Sequence, residues 1–311
     1  MSIEAKILAD SKSIRGERIT TFLLTFPRII LAEFNTHRAF SRNSASSRAI
    51  PFKKMVESVK ENPFIPIAWQ KDHKGMQGTV YENNEKHLAE IKRRWLIARD
   101  EAVELAKQLN YDYEVTKQLC NRLLEPFMWH TVICTATDYQ NFFKLRCPEY
   151  VVNWYSSDRP EALEPTQGSF KSRKDAIART EGECNDLTEE DWRECNISQA
   201  EIHIQALAEA MWDAMNESTP KVLKVGEWHI PFGEDLQVAT AKCARVSYTT
   251  VGSTSNNSHI ADIELHNKLI ESGHYSPLEH CAQVMDDTRY NSKPYSRNFK
   301  GFVQYREIVE S

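Results

Sequence analysis

Between Thr36 and Arg48 the chain concentrates the side chains that bind anions and the polar edges of planar bases. His37, Arg38, Ser41, Arg42, Asn43, Ser44, Ser46, Ser47 and Arg48 fall within thirteen positions. Forked guanidinium donors and short hydroxyls suit phosphate. A solvated basic loop is the competing reading, but an apolar stretch, RITTFLLTFPRIILAEF, leads into the segment, and binding loops commonly hang from rigid strands. A second group comprises Arg122 with Pro126 four residues on, then Asn141 and Arg146. On a helix the last two lie on neighbouring faces. Arg146 follows the apolar run Phe142-Phe143-Lys144-Leu145. A guanidinium there either acts strongly on a bound ring from a semi-apolar pocket or snorkels over its helix. A third group runs from Gly273 through His274, Tyr275, Ser276, Pro277 and Glu279 to His280. No H-E-x-x-H spacing and no third strong ligand accompany it, which argues against zinc and for a turn that hydrogen-bonds a cofactor. The fourth, Ala244-Arg245-Val246-Ser247-Tyr248, closes LQVATAKCARVSY, a strand or a short helix ending in a polar turn.

The elements that position these groups are partly readable. IEAKILAD alternates as a strand, and RITTFLLTF reads as a second one that stops near Phe26, with a new element after Pro27. The segment from Thr36 to Pro51 reads as loop. Residues 84–109 give the clearest helix, with Leu88, Ile91, Trp95, Ala98, Ala102, Leu105 and Leu109 on one face. Further helices are expected at Tyr113–Leu124, ending before Pro126, at Asp138–Leu145, at Ser198–Met215, and at Ala261–Ser272 with Gly273 as its stop. Residues 153–196 are highly charged and read as a surface insertion, helical around Lys171–Arg179 and Glu189–Arg193. TTVGSTSNNS (249–258) reads as a flexible loop.

Composition sets the bounds. The chain has 311 residues, is 41% hydrophobic and 10% aromatic, and carries a net charge of −5. That fits one large domain and argues against a general nucleic-acid binder; a single-stranded nucleic-acid binder built on the Ser/Arg loop is the weakest function considered. The seven cysteines include no C-x-x-C pair, and no apolar h-region follows the N-terminus. No apolar run is long enough to span a bilayer. A soluble, reduced, cytoplasmic protein is expected. G-x-G-x-x-G, G-x-x-x-x-G-K-[ST] and G-x-S-x-G are all absent, so neither a glycine fingerprint for dinucleotides nor a nucleophile elbow is supported.

Taken together, the four groups resemble the flavin-dependent thymidylate synthase family. Its signature, R-H-R then seven residues and S, with N-E-x-S-G-R near its end, is similar to Thr36-His37-Arg38 with Asn43, Ser46 and Arg48. Pro27 matches the spacing before that motif. R-x-x-x-P resembles Arg122 to Pro126, N-F-x-x-L/x-R resembles Asn141 to Arg146, and A-Q-x-E-I resembles Ser198-Gln199-Ala200-Glu201-Ile202. The family's opening motifs, A-R-x-S and H-G-H-x-x-P-F-E-H, resemble Ala244 to Ser247 and Ser272 to His280, which here come last. The order resembles a circular permutation with its join in residues 217–235, as in phage-encoded members, and permutation is tolerated where old termini lie close together.

The resemblance implies an α/β (α+β) fold, a mixed or antiparallel sheet flanked by helices; periodicity alone gives only mixed α and β. It implies an enzyme that uses FAD to transfer a one-carbon unit from methylenetetrahydrofolate to C5 of dUMP, with NADPH reducing the flavin, in a homotetramer with shared active sites and no catalytic cysteine. Arg146 would be catalytic, steadying negative charge on the pyrimidine. Ser46, Ser47, Arg48, Arg122 and Gln304 would join it in holding substrate, and Arg122 could serve a neighbouring copy. His37, Arg38, Asn141, Ser247, His274, Ser276 and Glu279 would hold FAD. Departures from the pattern are Thr36 for arginine, Ser44 for glutamate, Ser47 for glycine and Ile197 for histidine. They leave open a dCMP substrate, a hydroxymethyl product, or a non-catalytic flavin or nucleotide binder. Gln304 and Arg306 resemble the segment preceding R-H-R and are expected to restore the missing donors.

Overall fold

The computed structural model describes residues 1–75, 78, 80–155, 165–233, 235–247 and 259–311. The segment 249–258 and Tyr248, singled out above, lie outside them. The fold is mixed α and β. In chain order the elements are β1 (Glu4–Ser13), β2 (Arg18–Pro27), α1 (Leu31–Asn35), β3 (Ser41–Ser44), α2 (Phe52–Glu61), α3 (Glu85–Tyr111), α4 (Lys117–Cys120), a 3-10 turn Asn121–Phe127, β4 (Trp129–Ala136), α5 (Gln140–Arg146), β5 (Tyr150–Trp154), β6 (Thr166–Phe170), α6 (Arg173–Arg179), α7 (Glu189–Glu194) and α8 (Ile202–Glu217). There follow β7 (Lys221–Leu223), β8 (Trp228–His229), α9 (Leu236–Arg245), α10 (His259–Glu271), a 3-10 turn Ser276–His280, β9 (Ala282–Val284), α11 (Asp287–Ser292), β10 (Tyr295–Ser296), β11 (Phe299–Lys300), β12 (Phe302–Gln304) and α12 (Tyr305–Glu310). The chain divides into two compact units: Met1–Ile65, Lys92–Tyr139 and Ser218–Ser311 in the first, Pro66–Ile91 and Gln140–Glu217 in the second.

The first unit is built on a five-stranded sheet in the order β3-β4-β2-β1-β7. It is antiparallel except for β7, which pairs parallel with β1. β2 is central and almost wholly buried. Side chains alternate along a strand, so Phe22 and Phe26 point to one face and Ile19 and Thr21 to the other. On the first face Phe22 meets Tyr139 edge-on at 5.3 Å and Phe26 meets Phe34 at 5.3 Å. On the second, Ile19 and Leu223 pack with Ala282, Val284, Phe299 and Phe302, which brings the β12-β9-β8 sheet over β2. Polar groups thread this second face. Ser11 Oγ meets His229 Nδ1 at 2.9 Å, His229 Nε2 meets Thr21 Oγ1 at 2.8 Å, and Thr21 Oγ1 meets Thr135 Oγ1 at 2.7 Å. Thr135 Oγ1 then meets His280 Nδ1 at 2.8 Å. His280 Nε2, at the end of this chain, is buried without a partner among the described residues.

A second cluster joins α2, α3 and the 3-10 turn through Met55, Val59, Val103, Leu124 and Phe127. Here the expected face of α3 needs correction. Leu105 is 56% exposed and Leu109 36%, whereas Val103 and Ala106 are fully buried. Val103 and Ala106 face the cluster formed with α2 and the 3-10 turn, and the leucines, about 100° round the helix, are left at the surface. The expected helix from Tyr113 is also corrected. Glu114 sits at φ +53°, where a helix cannot continue, so α4 starts at Lys117, capped by Thr116. The tighter 3-10 turn then carries Pro126 inside it. Part of the expected Thr36–Pro51 loop is strand: β3 adds an edge to β4. Leu236–Arg245 of LQVATAKCARVSY is helical as α9, and Gly273 at φ +71° follows the end of α10 as expected.

In the second unit, the charged stretch 153–196 carries α6 and α7 where helices were expected, and also β6, which pairs with β5; Tyr150 and Val152 of β5 join Phe170, Ala176, Cys184 and Trp192 in a core of their own. Ser172 caps α6, and Thr188 and Asp191 form a capping box on α7. The Arg173 guanidinium lies 5.9 Å from the Tyr150 ring and 5.7 Å from the Trp192 ring. α5 packs on α8 with Phe143 against Trp212 at 5.2 Å. α8 begins at Ile202 rather than Ser198, because the Glu201 carboxylate accepts the backbone N–H of His203 at 2.8 Å and of Ile204 at 3.1 Å. Among the described residues no helix is long and apolar enough to cross a membrane.

Burial holds His130, His229 and His280 each down at about 3, against 6.5 for an ordinary histidine. Below 6.5 the unfolded chain takes up these protons and the fold does not. Their contribution is therefore intact above pH 6.5 and lost as pH falls toward 3. Denaturant unfolding between pH 7.5 and 5 is expected to show stability declining by up to about 1.4 kcal/mol per pH unit for each ring. His280→Gln is expected to reduce that slope by one proton; an unchanged slope contradicts the assignment.

Candidate functional site

The Ser/Arg segment is not held by its short ladder alone. Three buried side-chain amides pin it from different parts of the first unit. Asn43 Nδ2 donates to the Cys243 carbonyl of α9 at 2.5 Å, and its Oδ1 accepts from Ser276 Oγ at 3.4 Å. Asn121 Nδ2 donates to the carbonyls of Ser47 at 2.6 Å and Ile50 at 3.0 Å. Gln304 Nε2 donates to Ser41 Oγ at 3.1 Å and to Asn298 Oδ1 at 2.7 Å. Backbone bonds add to this: Ala45 donates to Thr131 at 2.9 Å and Ser46 to Ser247 at 3.3 Å. A hydroxyl-rich backbone is thereby fixed where buried polar groups would otherwise lack partners.

So anchored, the segment forms one wall of an open cleft of about 390 Å³, and the 3-10 turn after α4 forms another. Ser46, Ser47, Arg48 and Arg122, four of the six residues expected to hold substrate, all line it, with Ser44. Arg48 and Arg122 are exposed and so offer their guanidiniums to a ligand. Two further residues were not foreseen: Arg28 and Glu125. Glu125 Oε1 accepts from Ser47 Oγ at 2.7 Å and from Arg28 Nη2 at 3.2 Å. Arg28 Nη1 also lies 3.3 Å from the His130 ring nitrogens. That ring is held neutral by burial and then by the Arg28 charge itself. Three guanidiniums and one carboxylate leave the cleft net positive. Hydroxyls and forked cations in a concave wall suit a phosphate monoester. The signal for the missed pair was their placement, Arg28 directly after Pro27 and Glu125 directly before Pro126, where fixed backbone aims a side chain.

The residues expected to hold a cofactor are distributed unevenly. In the first unit Arg38, His274 and Ser276 are exposed. His274 Nδ1 lies 2.8 Å from Ser272 Oγ, and Ser276 reaches Asn43. Ser247 joins through its carbonyl. His274 and Ser276 are thus exposed polar groups of one turn, and Arg38 is exposed after α1. His37 and Glu279 fit less well. His37 is 8% exposed and stacks on Phe40 at 5.9 Å, which makes it a wall of the loop. Glu279 accepts from Arg306 Nη1 at 2.7 Å, so both are engaged with each other; Arg306 also pairs with Glu310 at 3.0 Å and covers the Tyr275 ring at 5.7 Å. Arg306 is thus not a free replacement donor. Gln304 needs a correction too. It is wholly buried with its amide nitrogen committed within the protein, so it positions β3 and does not face a ligand. Thr36, in place of an arginine, turns its hydroxyl onto the Glu33 carbonyl at 2.6 Å. Asn141, exposed, and Arg146, half-buried, sit on α5 in the second unit. Six of the seven cysteines are buried. Burial pushes the Cys134 and Cys147 thiols up to about 12, which leaves them unionised and poor nucleophiles.

No protein-family profile matches the chain, and no curated protein matches it. Among solved structures it is similar to the UMP/dUMP methylase PolB from Streptomyces cacaoi. The form bound with 5-Br dUMP is 15% identical over 64% of this chain and 66% of that one, at a TM-score of 0.40. The form bound with 5-Br UMP is 16% identical over 70% and 90%, at 0.43. It is also similar to thymidylate synthase ThyX from Helicobacter pylori in complex with FAD and dUMP, 15% identical over 57% and 73%, at 0.27.

The anchoring of the cleft wall is open to test at Asn121. Asn121→Ala leaves two buried carbonyls without their donor and is expected to destabilise the protein by about 2 kcal/mol or more, read by guanidinium chloride unfolding. A loss below about 0.5 kcal/mol, the size usual for a surface substitution, would mean that other bonds hold the loop.

Proposed function

We propose that the chain is an FAD-dependent enzyme that transfers a one-carbon unit from methylenetetrahydrofolate to C5 of dUMP, with NADPH as the reductant. The observation that carries this reading is the convergence of Ser46, Ser47, Arg48 and Arg122 on one cationic cleft, although Arg122 lies far along the chain from the others. A dianionic phosphate seated there would meet two exposed guanidiniums, each worth about 1 to 4 kcal/mol of attraction depending on how far water is excluded. The hydroxyl of Ser46 would orient it, while Ser47, buried and donating to Glu125, holds the wall. Arg146 is assigned the pyrimidine edge, where a fixed positive charge favours the ring as C5 becomes nucleophilic. Arg38, His274 and Ser276 are assigned to FAD, with Asn141 and the Ser247 turn. When bound, FAD supplies the redox equivalents that turn the transferred carbon into a methyl group.

The same proposal includes a circular permutation and a homotetramer with shared sites. Support for the permutation comes from distant contacts: Asn43 bonds to Cys243 and Ser276, so segments whose order in the chain is inverted relative to the family still meet.

Release of tritium from C5-labelled dUMP, assayed with FAD, NADPH and methylenetetrahydrofolate, tests the proposal. The wild type is expected to release it. Arg122→Ala and Arg48→Ala are expected to lower kcat/KM by about tenfold or more, mainly through KM, because the contact to phosphate is present in ground and transition states alike. Release from labelled dCMP but not dUMP would move the substrate assignment, and release from neither, in a protein that binds flavin, would mark a non-catalytic binder.

A further inference from the structure

Glu125 is a misfit in a site for a bare anion, because its charge repels phosphate while the three arginines attract it. Two structural demands on it are already met by one oxygen: Oε1 takes both the Ser47 hydroxyl and the Arg28 guanidinium. Oε2 has no hydrogen-bond partner among the described residues, and the side chain is 27% exposed in the cleft wall. Arg28 is the cation that Glu125 offsets, whereas Arg48 and Arg122 remain for a ligand. The lining therefore holds both exposed cations and an open acceptor. An occupant that meets both needs an anionic group and a hydrogen-bond donor. A sugar phosphate has both.

We infer that Glu125 is a specificity-determining residue, whose Oε2 accepts a sugar hydroxyl of a nucleotide with its phosphate on Arg48 and Arg122. The inference rests on the nucleotide reading above and adds which part of the nucleotide is read. A strut that merely holds Ser47 and Arg28 in place would affect every ligand equally; a residue that reads the sugar affects only ligands that carry the hydroxyl.

Calorimetric titration with three probes separates the two. Inorganic phosphate, dUMP and 2′,3′-dideoxyuridine 5′-monophosphate are each titrated into the wild type, Glu125→Gln and Glu125→Ala. The wild type is expected to prefer dUMP over the dideoxy analogue by about tenfold or more, the size of a hydrogen bond to a charged acceptor. Both variants are expected to narrow that preference to about threefold or less and to bind inorganic phosphate at least as tightly as the wild type. Equal weakening for all three probes, or no preference in the wild type, overturns the assignment of Glu125 and leaves the nucleotide reading standing. Binding of inorganic phosphate with no binding of either nucleotide removes the nucleotide reading, and this inference with it.

Discussion

A polar loop that lacks a full ladder keeps its shape only if other groups satisfy its backbone, and here that requirement falls on three side-chain amides. Asn43, Asn121 and Gln304 come from β3 itself, from the turn after α4 and from β12, near the end of the chain. Each spends its nitrogen on a carbonyl or hydroxyl of another segment. Two of them do so at a cost, since Asn121 Oδ1 and Gln304 Oε1 are buried without partners among the described residues. An unsatisfied buried oxygen is tolerated when the bonds made by the same amide fix something the molecule needs. What they fix is the run Ser41 to Ile50, and with it the hydroxyls and the guanidinium of the cleft.

The sheet beneath supplies the second half of the arrangement. The column Ser11, His229, Thr21, Thr135 and His280 joins β1, β8, β2, β4 and the 276–280 turn through one continuous line of hydrogen bonds. Burial keeps its imidazoles neutral. The line ties the turn bearing Ser276 and Glu279 to the strand whose far edge carries β3. Segments from opposite ends of the chain thus reach one place by packing in the core, and loop length has little part in it.

Much of the fold was legible because periodicity reports burial. β1, β2, α8 and α10 follow from alternation, helical spacing and a stop glycine. α3 was legible as a helix but not in its buried face, since that face is set by where α2 and the 3-10 turn pack, on Val103 and Ala106. β3 was hidden because Ser-Arg-Asn-Ser carries no apolar signal; the partner strand makes it a strand. Of the cleft, the hydroxyls and Arg48 and Arg122 were legible by residue type and motif. Arg28 and Glu125 look like ordinary surface charges until the two prolines beside them are seen to aim both at one space. Gln304 was misplaced as a ligand contact because an amide in a motif does not disclose whether it faces inward.

The central claim is that the cleft between the Ser44–Arg48 wall and the Arg122 turn receives the phosphate of a pyrimidine nucleotide. A crystal structure of the protein with dUMP tests it most directly. The account predicts phosphate oxygens within hydrogen-bonding distance of Arg48, Arg122 and the Ser46 hydroxyl. A nucleotide bound elsewhere, with that cleft holding only solvent, would contradict it.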